Sequence, residues 1–141
     1  MRLRARIAFP ALSAALALVG LAVPIAAHAS LPTGSGLPTE TENGITIYCD
    51  RPSQWQVVAN NIHIRATPNG NVLYPIANGA KFDSVWHVTC SGLSSWYELY
   101  TADQYGGQQW LKGWSHANPS HVGWVGGAYL TFIKYCDRNG C

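Results

Sequence analysis

The chain has 141 residues, with nine Lys and Arg against seven Asp and Glu, but three of the nine, Arg2, Arg4 and Arg6, stand in the first six positions. After residue 29 six basic residues face seven acids, a net charge of −1 with no cluster of either sign. That balance excludes a nucleic-acid binder, because a basic stripe that neutralises phosphates supplies most of such affinity.

The chain opens with those arginines, an apolar run from Ile7 to Ala27, and the small-x-small site Ala27-His28-Ala29. This is the layout of a secretory signal peptide over 1–29, cleaved after Ala29. Pro10, Gly20 and Pro24 interrupt the run and no stop-transfer flank follows, so no membrane attachment is expected after cleavage. The product is expected to be secreted, extracellular or associated with the cell wall. Residues 30–44, rich in Pro, Gly, Ser and Thr, read as a flexible leader. The remainder, 45–141, is long enough for one domain with a thin core.

Within it, short β-branched and aromatic segments are broken by Gly, Asn and Pro, the pattern of an all-β domain. Trp55–Ala59 and Asn61–Arg65 are predicted strands, the second with Ile62 and Ile64 alternating against His63 and Arg65. Thr67-Pro68-Asn69-Gly70-Asn71 and Asn78-Gly79 are predicted turns. Phe82, Trp86, Val88 and Cys90 share one parity of a following strand, Trp96–Tyr100 and Gly123–Val125 form two more, and Leu130–Tyr135 a last one. No stretch keeps helical spacing over three turns, which leaves room for one short turn near Ala128.

Cys49, Cys90, Cys136 and Cys141 all follow the signal peptide, an even number in a chain bound for an oxidising compartment, so two disulfides are expected. Spacing leaves two pairings level: Cys49 with Cys136 and Cys90 with Cys141, or Cys136 with Cys141 and Cys49 with Cys90. A zinc site is not expected, because no Cys-x-x-Cys pair is present. His116 and His121 lack a third ligand in their motif, so neither metal nor cofactor is expected.

Four segments in this order resemble the bacterial SH3-like domains. Asn61-Ile62-His63-Ile64-Arg65-Ala66-Thr67-Pro68 is similar to their opening aliphatic-Arg-turn signature, and Asn78-Gly79-Ala80-Lys81-Phe82 to the Gly that starts their next strand. Trp96-Tyr97-Glu98-Leu99 resembles their Trp-Tyr strand, and Gly123-Trp124-Val125-Gly126-Gly127-Ala128-Tyr129-Leu130 their closing motif. The resemblance spans about Val57 to Phe132. It implies a small SH3-like barrel of five or more antiparallel strands that recognises cell-wall peptidoglycan, a peptide or a protein partner. Two departures stand out: the stretch from Thr101 to Val122 reads as a long inserted loop, and the four-cysteine frame suggests a free-standing extracellular version.

Trp110 and Trp114, with Tyr105, lie in that Gly- and Gln-rich insert, where loops on a rigid scaffold collect binding residues. Together with Trp96, Tyr97 and Tyr129 they are the candidate binding residues; the alternative is that both indoles fold back as a lid on the barrel. Enzymatic chemistry is not expected. Asp83, Glu98 and Asp103 form no linked carboxylate pair, all four thiols are expected to be paired, and no Gly-x-Ser-x-Gly is present. The expected function is a secreted, non-catalytic recognition module for cell-wall polymer, peptide or protein. The alternative is a protein-directed effector or enzyme inhibitor that presents a stiffened loop.

Overall fold

A computed structural model describes residues 36–84, 97–137 and 141; of residues 97–99 it describes the backbone alone. The expected signal peptide, Trp86, Cys90 and Trp96 lie outside the described residues. Among the described residues ten strands form one antiparallel sheet: β1 (Thr39–Glu42), β2 (Ile45–Asp50), β3 (Ser53–Val57), β4 (Ile62–Arg65), β5 (Val72–Ile76), β6 (Lys81–Ser84), β7 (Tyr97–Thr101), β8 (Trp110–Ser115), β9 (Asn118–Gly126) and β10 (Leu130–Tyr135). A 3-10 turn, Gly127–Tyr129, links β9 to β10 where the sequence predicts a short turn near Ala128. No α-helix occurs among the described residues.

The sheet forks at β8. One edge of this strand pairs with β9 along its length, and the other is shared, with β7 opposite Leu111 and β6 opposite Gly113 to Ser115. From β7 the sheet runs to β2 and β1; from β6 it runs to β3 and β10; beyond β9 lie β4 and β5. Curling of these branches gives a half-barrel. Its interior holds Trp55, Val57, Ile62, Ile64, Ile76, Phe82, Tyr100, Leu111, Val125 and Leu130. Complete burial of each large apolar side chain contributes about 1.5–3 kcal/mol.

Two glycines permit the tight curl. A Cβ on Gly113 would overlap the Asp83 carbonyl oxygen, and one on Gly123 would meet Arg65 O at 2.5 Å. These residues face each other across β8 and β9, so the sheet bends where neither strand carries a side chain.

Alternation along β8 and β9 separates two faces. Leu111 and Val125 point into the barrel, while Trp110 and Trp124 meet Ile47 of β2 in a second cluster outside it, with Ile45 and Tyr105 packed alongside. Lys112 Nζ, on the same outer parity, donates to Glu42 Oε2 at 2.9 Å and stands 5.9 Å from the Trp124 ring centroid. The β1–β2 hairpin thereby covers the outer face of the barrel.

Three expectations change. The second half of the expected leader is strand β1, paired from Thr39 with Tyr48 to Glu42 with Ile45; its backbone finds partners although its side chains are too polar to signal a strand. The expected inserted loop over 101–122 contains β8 and most of β9, leaving residues 102–109 as its loop. The pairing Cys49 with Cys136 is excluded, because Cys136 is bonded to Cys141 across a Cα separation of 4.9 Å.

Candidate functional site

A groove of about 250 Å³ opens on the outer side of β4, between that strand, the turn after it and the loop 102–109. Its β4 wall follows directly from strand periodicity. Ile62 and Ile64 are buried, so His63 and Arg65 face outward. Asn61 enters the strand at φ 57° and Asn69 occupies the following turn at φ 54°, left-handed conformations that asparagine tolerates better than most residues. Arg65 Nη1 donates to Gly70 O at 2.6 Å, which fixes the guanidinium beside the turn.

The opposite wall is the loop. Gly106 and Gly107 both have positive φ, 62° and 79°, between the bridged residues Tyr105 and Gln108, as a tight two-residue hairpin turn requires. Thr101 ties the loop at its base: its hydroxyl donates to Asp103 O at 2.7 Å and accepts the Trp110 N–H at 3.0 Å. Gln109 Nε2 donates to Thr101 O at 3.0 Å. At the far end, Gln108 Oε1 accepts the Ala128 N–H at 3.2 Å, and its side chain lies where a Cβ on Gly126 would be. The absence of a side chain at Gly126 is what lets Gln108 reach the groove. The Asn69 amide lies 3.1 Å from where a Cβ on Gly106 would stand, so turn and loop meet across the groove.

Trp110 and Tyr129 complete the lining. Trp110 is only 4% exposed, and its indole N–H donates to Tyr105 O at 2.8 Å. A stacking platform needs an open ring face, so Trp110 is the groove's floor rather than a projecting contact residue. Tyr105 contributes its carbonyl to that bond and its side chain to the outer cluster. Trp114 is half-buried on the outer parity of β8, in register with Asp83 and Val122, and does not line the groove. Tyr97 belongs to β7, and Trp96 lies outside the described residues. Of the six candidate residues the groove therefore unites Trp110 and Tyr129.

Asn61, His63, Arg65, Asn69 and Gln108 were not among the candidates. For His63 and Arg65 the signal was present in the alternation of Asn61–Arg65, which assigns both to the side away from the core. Gln108 had none, since its place depends on the bare backbone of Gly126.

A second polar cluster sits at the other end of β8. Asp83, 4% exposed, accepts Gln54 Nε2 at 3.0 Å through one oxygen and meets His116 Nδ1 at 2.7 Å through the other. Ser84 Oγ accepts the Ser53 N–H at 2.9 Å, and Ser53 Oγ accepts the Trp55 indole N–H at the same distance. These mutual bonds satisfy polar groups that burial would otherwise penalise, and they lock β3 to β6. Tyr100, in the interior cluster, has its hydroxyl pushed up to about 12 by burial, with lesser contributions from Tyr48, Asp50 and Tyr135. Among the described residues no group of three His, Cys, Asp or Glu side chains could hold a metal ion. No helix among them is long and apolar enough to cross a membrane.

No protein-family model matches the sequence, and no match is found among curated proteins or solved structures.

Proposed function

We propose that the chain is an exported, non-catalytic binding module of the bacterial SH3-like type, which holds cell-wall peptidoglycan in the groove beside β4. The observation that carries this reading is the convergence of Asn61, His63, Arg65, Asn69 and Gln108 on one concave surface with Tyr129. A few fixed polar groups around a concave site are what orient a ligand rich in amides and hydroxyls. The loop wall is tied at both ends, so little conformational entropy is left to lose on binding.

The order of elements supports the family resemblance. With β7 set aside, strands β3, β4, β5, β6, β8, β9 and β10 come in sequence with a 3-10 turn before the last, and β10 returns to pair with β3. The motif residues fall on these elements: Arg65 ends β4, Gly79 precedes β6, Trp124 is in β9 and Tyr129 in the turn. The place beside β9 belongs to Trp110-Leu111, while Tyr97 pairs with Asp50 of β2, so on this reading β1, β2 and β7 are additions to the family pattern. Export accords with the N-terminal sequence and with the Cys136–Cys141 bond. No described cysteine is free, and Cys49 is fully buried; we assign Cys90 as its partner, which a non-reducing peptide map checks.

The test is retention on purified, protein-free peptidoglycan. His63→Ala and Asn69→Gly, the second chosen because glycine keeps the positive φ, should each lower retention several-fold with unchanged circular dichroism. Retention unaffected by both would remove the groove from the reading. A stoichiometric complex with a secreted protein, and no affinity for wall material, would identify an effector or inhibitor instead.

A further inference from the structure

Charge is distributed unevenly over the outer face. On that face Lys112 is paired with Glu42 at 2.9 Å. Arg65 has Gly70 O as its hydrogen-bond partner and no carboxylate among the described residues. Among the described residues neither Asp nor Glu lines the groove. Asn61, Asn69 and Gln108 add neutral amides around it, and His63 stands two residues before Arg65 on the same side of β4.

A guanidinium has five N–H donors in a planar fork, and here the carbonyl of Gly70 takes one of them. That single bond holds the group in place while leaving donors free for a second, planar acceptor. Carboxylate geometry matches the fork, and charge-assisted bonds to it are roughly twice as strong as neutral ones. We infer that Arg65 is the anchor for a carboxylate of the ligand, so that the groove takes the free carboxyl end of a wall stem peptide rather than the glycan strand.

This rests on the groove being the binding site, and the experiment separates the two ideas. Calorimetric titration of the full secreted chain uses diacetyl-L-lysyl-D-alanyl-D-alanine, whose only charge is its carboxylate, and the same peptide as its C-terminal amide. The acid should bind at least about tenfold more tightly than the amide. Arg65→Gln should erase that difference, and Arg65→Lys, which keeps charge but loses the fork, should restore part of it. Because the acid and amide are compared on the unaltered protein, the result stands even where Arg65→Gln disturbs the turn through its lost bond to Gly70. Equal binding of acid and amide overturns the carboxylate anchor. So does binding of a carboxylate-free glycan, such as a chitin oligosaccharide, in place of either peptide. In both cases the groove itself is judged separately, by whether His63→Ala still lowers retention on intact peptidoglycan.

Discussion

The inside of the half-barrel and the face just outside it are built from alternate residues of the same strands, yet they are held in different ways. Inside, Phe82, Leu111, Val125 and Leu130 pack hydrocarbon on hydrocarbon with no polar atom to satisfy. Outside, Trp110 and Trp124 are nearly as buried, but they are roofed by Ile47 and by a loop hung from Thr101 through hydrogen bonds. The interior makes the fold; the outer layer makes the groove and is fastened to the fold by polar contacts. Substitutions should therefore separate stability from binding according to the side on which they fall.

The largest effect is expected inside. Phe82 has no exposed surface and contacts the spot left open by Gly113. Phe82→Ala removes a ring that the close-packed sheet cannot replace, and should cost about 3–5 kcal/mol in urea unfolding. In a domain of this size that is a large share of total stability. A loss below about 1 kcal/mol would mean that the interior is not the close-packed core described here.

Next comes a pH effect at the junction of the two regions. Tyr100 lies in the interior cluster but on β7, the branch that carries the outer layer, and its ring sits 5.2 Å from that of Tyr48. Its hydroxyl is raised from 10.0 to about 12, so the folded chain holds a proton that the unfolded chain releases first. The stability this reflects is fully present below pH 10 and is lost as pH rises towards 12. Urea midpoints should be flat with respect to this group up to pH 10 and fall above it, and Tyr100→Phe should flatten the fall. An unchanged alkaline slope in Tyr100→Phe would place the titration elsewhere.

The inner face was legible in the sequence wherever side chains alternate. Ile62 and Ile64 announce β4, and the Asn-Gly pair at 78–79 announces the turn before β6. The outer layer was much less so. Gly113 empties the position where β8 would have shown its alternation, and Pro119 and His121 hide β9, which becomes a strand because β8 offers it a partner along its length. Strand β1 reads Thr-Glu-Thr-Glu and has no apolar face at all; pairing with β2 supplies its hydrogen bonds. The groove was legible only in part for the same reason. Outward positions on β4 follow from the strand period, but the meeting of Asn69, Gly106 and Gln108 is a tertiary contact between segments nearly forty residues apart.

The smallest substitution tests the outer layer most directly. Trp110→Phe keeps an aromatic ring between Ile47 and Trp124 and deletes the N–H that donates to Tyr105 O. The lost bond is worth about 1 kcal/mol, so the global unfolding midpoint should move only slightly. The local effect should be larger, because that bond pins the loop near the two glycines of its turn. Amide exchange at Tyr105, whose N–H donates to Gln108 O at 2.9 Å, should quicken while exchange at buried Val125 stays unchanged. Ligand affinity should fall with it, since a loosened Gln108 must be ordered again on binding. If instead exchange quickens at Val125 and Tyr105 alike, inside and outside unfold as one unit, and the outer layer is as much a part of the core as the barrel it covers.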